Sequence, residues 1–410
     1  MTDNPSTTAA PRLRDPEAVA ARHGAAGPRL LSRGLAMGDP LADAAVAELS
    51  GGAAAPARAA LATGLREGLA ALTDPPPAVA ALLADAEAAV AAADPALLER
   101  GDVASMTVDA FWSRISFALG SLVHTYSAPA IARVLTGTGR LTGDAERRLA
   151  ETGLWRVNAI LPGGLRVGAP GYVDSVQVRL LHARVRAAAQ RRGWDTARWG
   201  VPVNQVDLAR TWLDFTVVPF RALARVGIAL TPEEERDLYR YWHTVAALMG
   251  VDPDFHAGAA DHATAGALLD LLEAANDPPD DHARALVHAL IDALAGGQLG
   301  SLLGLAEPEA RRMLHALTRL MQGDTAADAL GIPAEDIAPF VPLIALPNAR
   351  LREAERATPD SWQRALAAHT AYRRTEFAHL ETAQYRTAAD GGGPDAGAGE
   401  KPAAGRGAGG

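Results

Sequence analysis

The 410-residue chain contains no cysteine. That absence excludes iron–sulfur clusters, thiolate-ligated haem, cysteine zinc sites, thiol nucleophiles and disulfides. It leaves the compartment open, because a cysteine-free chain tolerates any redox poise. Lysine is almost as scarce, and only Lys401, near the C-terminus, is present. The rest of the chain therefore has no lysine for a Schiff base, a P-loop or a kinase-type ion pair, which excludes pyridoxal enzymes and Walker-type ATPases. Positive charge is in deficit: the formal net charge is −9. An acidic total argues against a nucleic-acid partner, which calls for a basic stripe. No run of about 18 apolar residues occurs, so no spanning helix and no membrane partner are expected. No apolar stretch of about 7–15 residues follows the first positive charges, as a signal peptide would need. A soluble, cytoplasmic protein is the expectation.

Hydrophobic residues make up 49% and charged residues 21%, the balance of a globular protein. Residues 1–28 read as a flexible arm rich in Ala, Pro, Thr and Asp. Residues 387–410 are mostly Gly, Ala, Pro and Asp; they lack the apolar bulk to fold and read as a disordered tail. Residues 29–386 read as a single all-helical domain, with 29–100 as its N-terminal layer. Apolar spacing predicts helices over 78–93, 107–120, 127–136, 172–192, 204–226, 232–249, 262–275, 280–296, 307–321 and 359–381. Another begins at a Thr142 cap and runs to about Ile160, where Pro162-Gly163-Gly164 breaks it. No period-two strand, βαβ unit or internal repeat is visible. The fold class is all-α.

With cysteine and lysine gone, chemistry falls to His, Asp, Glu, Arg, Ser, Thr, Tyr or a bound cofactor. The histidines form no His-Glu-x-x-His zinc motif, and no Gly-x-Ser-x-Gly elbow occurs. Gly137-Thr138-Gly139 follows no strand and misses the third glycine of a dinucleotide site. His182 stands out in an amphipathic segment. Val178 and Val185 share its face, and Arg179 and Arg186 flank it. An imidazole at the edge of an apolar face suits an axial haem ligand. Spacing alone fits a core histidine bonded to a carbonyl equally well, and that is the commoner use. Arg148 and Thr152 lie four apart on one helical face, flanked by Glu146, Arg147 and Glu151. They suit bonding to oxygen or to a haem propionate. A solvated face with i,i+4 pairing remains the alternative.

Several separated segments resemble the latex-clearing proteins, rubber oxygenases within a broader haem oxygenase family named after a mycophenolic-acid pathway enzyme. They include Glu151-Thr152-Gly153-Leu154-Trp155, Pro162-Gly163-Gly164-Leu165, Gly171-Tyr172, Val178 to Arg186 and Gly200 to Ala209. Gly38 to Asp43 and Ser127 to Ile131 fall in the same order. The resemblance spans about 30 to 350. It implies a globin-like helical core around haem b, with extra helices, and iron held by one histidine. It puts the proximal role on His182 and the distal arginine and threonine on Arg148 and Thr152. It also matches Leu238 to Val245 with a family helix that carries a histidine, here His243. That makes His243 a candidate beside the cofactor, with a buried structural histidine as the alternative.

The sequence also departs from the pattern. Some latex-clearing proteins carry a lysine beside the distal threonine that closes the haem; here the position is Glu151. They also carry an acid near the segment matching Pro129-Ala130-Ile131, and Pro129 to Leu135 contains none. With no export signal visible, these departures leave the oxygenase class standing and weigh against polyisoprene. The expectation is a haem b-dependent oxygenase, dioxygenase in type, taking dioxygen and a hydrophobic small molecule or polymer, with an alkene as the group attacked. A true rubber oxygenase, a haem sensor or carrier, and a helical protein without cofactor are the alternatives.

Overall fold

Several helices in this chain begin where a short polar cap meets a proline. Asp39 caps Pro40–Ser50 by accepting from Ala42 N at 3.2 Å. Thr231 and Glu234 form a reciprocal capping box at the start of Pro232–Leu248. Such caps satisfy amides that have no partner inside the helix, and proline loses nothing there because its missing N–H would be unpaired anyway. The computed structural model describes residues 12–377 except 53, 138–144, 298, 299 and 301–303, and no side chains over 145–148. Among the described residues there are helices and no strand.

The helices expected over 78–93, 127–136, 172–192, 232–249, 262–275, 280–296 and 307–321 appear as Pro77–Ala91, Pro129–Thr136, Pro170–Arg191, Pro232–Leu248, His262–Glu273, Asp281–Gly296 and Glu307–Gln322. The helix expected over 204–226 is instead two, Gln205–Asp214 and Val217–Arg225. Pro219 is the cause: its ring would clash with the carbonyl of residue 215 in a continuous helix. The chain breaks at Phe215 and Thr216, which moves the proline into the first turn of a new helix. The 107–120 segment starts at Ala110 and widens into a π-helical stretch over Ser116–Leu122. There Gln322 Nε2 donates to the carbonyls of Leu119 and Gly120, at 2.6 and 2.7 Å.

Residues 12–28, read as part of a loose arm, contain the helix Pro16–His23 and the start of Ala26–Leu35. Arg12 explains why they are held. It is 2% exposed and donates to Asp207, Asn276 and the carbonyls of Ala275 and Trp199. The last helix, expected to reach 381, ends at Glu376. The Thr142 cap and the 387–410 tail lie outside the described residues.

Two packings position the site. The helix Ala145–Ile160, here the Thr152 helix, lies on Pro170–Arg191, here the His182 helix. The contact is close because Gly171 meets the Asn158 carbonyl, where a Cβ would stand 2.4 Å away. Trp155 Nε1 donates to Ser175 Oγ across it at 3.0 Å. The other face of the His182 helix packs on Pro40–Ser50. Among the described residues, no helix is long and apolar enough to cross a membrane.

Candidate active site

Val178, Leu181, His182 and Val185 fall at i, i+3, i+4 and i+7, which puts them on one stripe of the His182 helix. The stripe forms one wall of a cavity of about 250 Å³. Opposite elements complete it. Ile131, Val134 and Leu135 come from Pro129–Thr136, Glu151, Thr152 and Trp155 from the Thr152 helix, and Asp207, Leu208 and Thr211 from Gln205–Asp214. Leu122, the last residue of the π-helical stretch, and Thr125 and Tyr126 just after it join the same lining. The lining is mainly aliphatic and aromatic, the composition of a small-molecule pocket with a few placed polar groups.

His182 is the group in this wall with an open valence. Its Nδ1 is buried without a hydrogen-bond partner. Its ring is partly exposed at the cavity lining. Its neighbours Arg179 and Arg186 point away and are tethered. Arg179 binds Asp39 at 2.6 and 3.1 Å and Asp85 at 2.6 Å. Arg186 binds Asp43 at 2.9 Å and the Val203 carbonyl at 2.7 Å. Burial, then the Arg186 charge, pushes the imidazole down to about 4, with Asp39 opposing. At neutral pH the ring is uncharged, so it has a lone pair to offer a metal or a proton.

The structure brings Thr152 and Glu151 to the His182 cavity. Arg148 lies one turn before Thr152 on the same helix, and its side chain is outside the described residues. His243 is placed elsewhere: it is not on the cavity lining, its Nε2 donates to the Ala259 carbonyl at 2.9 Å, and its ring lies 5.6 Å from that of Trp212. Burial holds its pKa below the usual histidine value.

Asp207, Thr211 and Val203 reach the cavity without having been singled out from the sequence. Asp207 was within the resembling Gly200 to Ala209 segment, but its partner Arg12 is 195 residues away. Both Asp207 oxygens accept from Arg12, and Asn204 Nδ2 adds a bond at 2.8 Å. A carboxylate so held is fixed in place and shapes the wall.

Among the described residues, no group of three or more His, Asp or Glu could hold a bare metal ion. A lone neutral histidine in an apolar cavity suits instead a metal that brings its other ligands with it, as a porphyrin does.

The family model described as ER-bound oxygenase mpaB/B'/Rubber oxygenase, catalytic domain, matches residues 109–346. A solved structure of latex clearing protein LCP in the closed state is similar over 85% of this chain and 91% of that chain. The TM-score is 0.63 at 20% identity, so this likeness speaks for the fold. No curated protein matches the chain. The expected all-α class and the resemblance drawn from the separated motifs both stand.

Proposed function

The chain belongs to the mpaB/B' and rubber oxygenase family, and from that premise we propose that it is a haem b-dependent oxygenase of an apolar, alkene-containing substrate. The reaction is a dioxygenase-type cleavage of C=C to carbonyl products. The observation that carries the reading is His182: neutral, with Nδ1 buried and unpartnered, on the wall of an apolar cavity lined, among the described residues, by no second histidine. Those residues fit a haem held through the His182 imidazole. Without cysteine, attachment of the covalent c type is excluded.

Haem, when bound, supplies the dioxygen chemistry. The chain supplies the rest. Thr152 lines the cavity, and Arg148, four residues earlier in the same helix, would supply a charged donor to dioxygen or a propionate. Donors fixed in place before reaction stabilise developing negative charge without having to reorganise. The aliphatic wall of Ile131, Val134, Leu135 and Val185 binds the alkene and excludes water. Glu151 stands at the cavity as a carboxylate, a poor ligand for low-spin iron. His243 belongs to the packing around Trp212 in this reading.

Oxygen uptake by the haem-loaded protein over a panel of alkenes tests it. The expected result is uptake with two carbonyl products, each carrying one atom of labelled dioxygen. A haem-loaded protein with no uptake across the panel would point to a sensor or carrier.

A further inference from the structure

Val203 has a φ of +53°. This is the left-handed region, where a β-branched side chain crowds its own backbone. Apart from glycines, only Asp74 shares a positive φ among the described residues, and aspartate tolerates it far better. Strain of this kind persists only where the surroundings impose it. Here they do. Val201 N donates to the Leu35 carbonyl at 2.8 Å, and Gln205 N donates to the Met37 carbonyl at 2.9 Å. Between those staples, the Val203 carbonyl accepts from Arg186 Nη1. Arg186 is 2% exposed and its Nε is seated on both oxygens of Asp43, at 2.9 and 3.1 Å. Its guanidinium thus spans from the Pro40–Ser50 helix to the strained turn.

The second observation is on the same helix, one turn earlier. A metal-ligating histidine ordinarily donates its other ring N–H to an acceptor, which fixes the ring. His182 Nδ1 has no such acceptor. Its orientation has to come from the walls, and Val203 is one of them.

We propose that Arg186 is a positioning residue: by gripping the Val203 carbonyl it holds the strained turn as a wall of the cavity, and so fixes the His182 ring that has no hydrogen bond of its own. The part concerning His182 as a ligand rests on the proposed function; the coupling of Arg186, turn and ring does not. Lysine cannot reproduce the span, because a point charge serves Asp43 or the carbonyl but lacks the planar fork for both.

The test uses the full chain without haem. Backbone hydrogen exchange is followed over residues 200–206, with Pro232–Leu248 as internal reference, and the His182 ring is observed by NMR. Arg186→Met is expected to speed exchange in 200–206 by about tenfold or more relative to the reference helix, and to split or broaden a single set of ring signals. Arg186→Lys is expected to fall between. Adding Val203→Gly to Arg186→Met should return protection to the turn, because glycine takes the positive φ without strain. Unchanged exchange and ring signals in Arg186→Met would overturn the proposal. So would a uniform rise in exchange over the whole chain that Val203→Gly does not reverse, since Arg186 would then only support the fold. Failure of the wild-type protein to bind haem would defeat the proposed function and leave these readouts able to decide the coupling.

Discussion

His124 and His182 lie in the same helical bundle and meet opposite surroundings. His124 Nδ1 is bonded to Asp214 at 2.7 Å, and its Nε2 faces Glu273 at 3.7 Å. Asp214 is fully buried and also accepts from Thr125 Oγ1 at 2.7 Å and Arg210 Nη1 at 3.3 Å. Arg210 closes the network on Glu273 at 2.6 Å. His182 has no hydrogen-bonded carboxylate, and the larger charge effect on it is that of the cation Arg186, which outweighs Asp39. The first histidine is committed to holding helices together. The second is kept neutral and uncommitted, which costs stability in the ligand-free protein and leaves a nitrogen for a cofactor.

Removing the network should produce the largest change in stability. Asp214→Ala leaves Arg210 and Thr125 short of a buried partner, and breaking such a set costs about 3–5 kcal/mol. Urea unfolding should show this as a lower midpoint with similar slope. Next come the donors at the cavity. Arg148→Ala and Thr152→Ala should each keep haem and lose about 10²–10³ in rate per bound haem, or roughly 2.7–4 kcal/mol. If haem occupancy falls and the rate per haem holds, Arg148 anchors a propionate instead. If neither moves, that helix face is only surface. His182→Leu should be mild in ligand-free protein, within about 1 kcal/mol of wild type or stabilising, because no hydrogen bond is lost and an unpaired buried nitrogen is removed. A cost matching that of Asp214→Ala would mean His182 is structural and the contrast is false.

A further effect is on acid stability and uses a third histidine. His256 has both ring nitrogens buried without partners, and burial, helped by His243, pushes it down to about 4. The unfolded chain takes up this proton near 6.5 and the folded chain only near 4. Stability therefore falls as pH drops through that window and levels off below it. His256→Phe should flatten part of the fall in ligand-free unfolding curves, and an equally steep fall in the variant would contradict the assignment.

The sequence carried much of this and lacked the rest for physical reasons. Cap and proline signals are local, so Pro232–Leu248 and Pro170–Arg191 were legible nearly to the residue. The break at Thr216 is also written locally, in Pro219, but the apolar period runs straight through it and masks it. The face shared by Val178, His182 and Val185 follows from helical spacing. What Arg179 and Arg186 do does not follow, because Asp39 and Asp43 lie about 140 residues earlier. The same distance hid Arg12 from Asp207 and made residues 12–28 look loose. The π-helical stretch over Ser116–Leu122 has no local signature, and its carbonyls are met by Gln322, some 200 residues on.

In this reading His182, the one histidine lining the cavity among the described residues, holds the cofactor. The direct measurement is haem titration of wild-type protein and His182→Ala, read by the Soret band and by haem retained on gel filtration. The account predicts about one non-covalent haem b per wild-type chain, high-spin when ferric, and loss of most of it in the variant. Full occupancy with an unchanged Soret band in His182→Ala would contradict it.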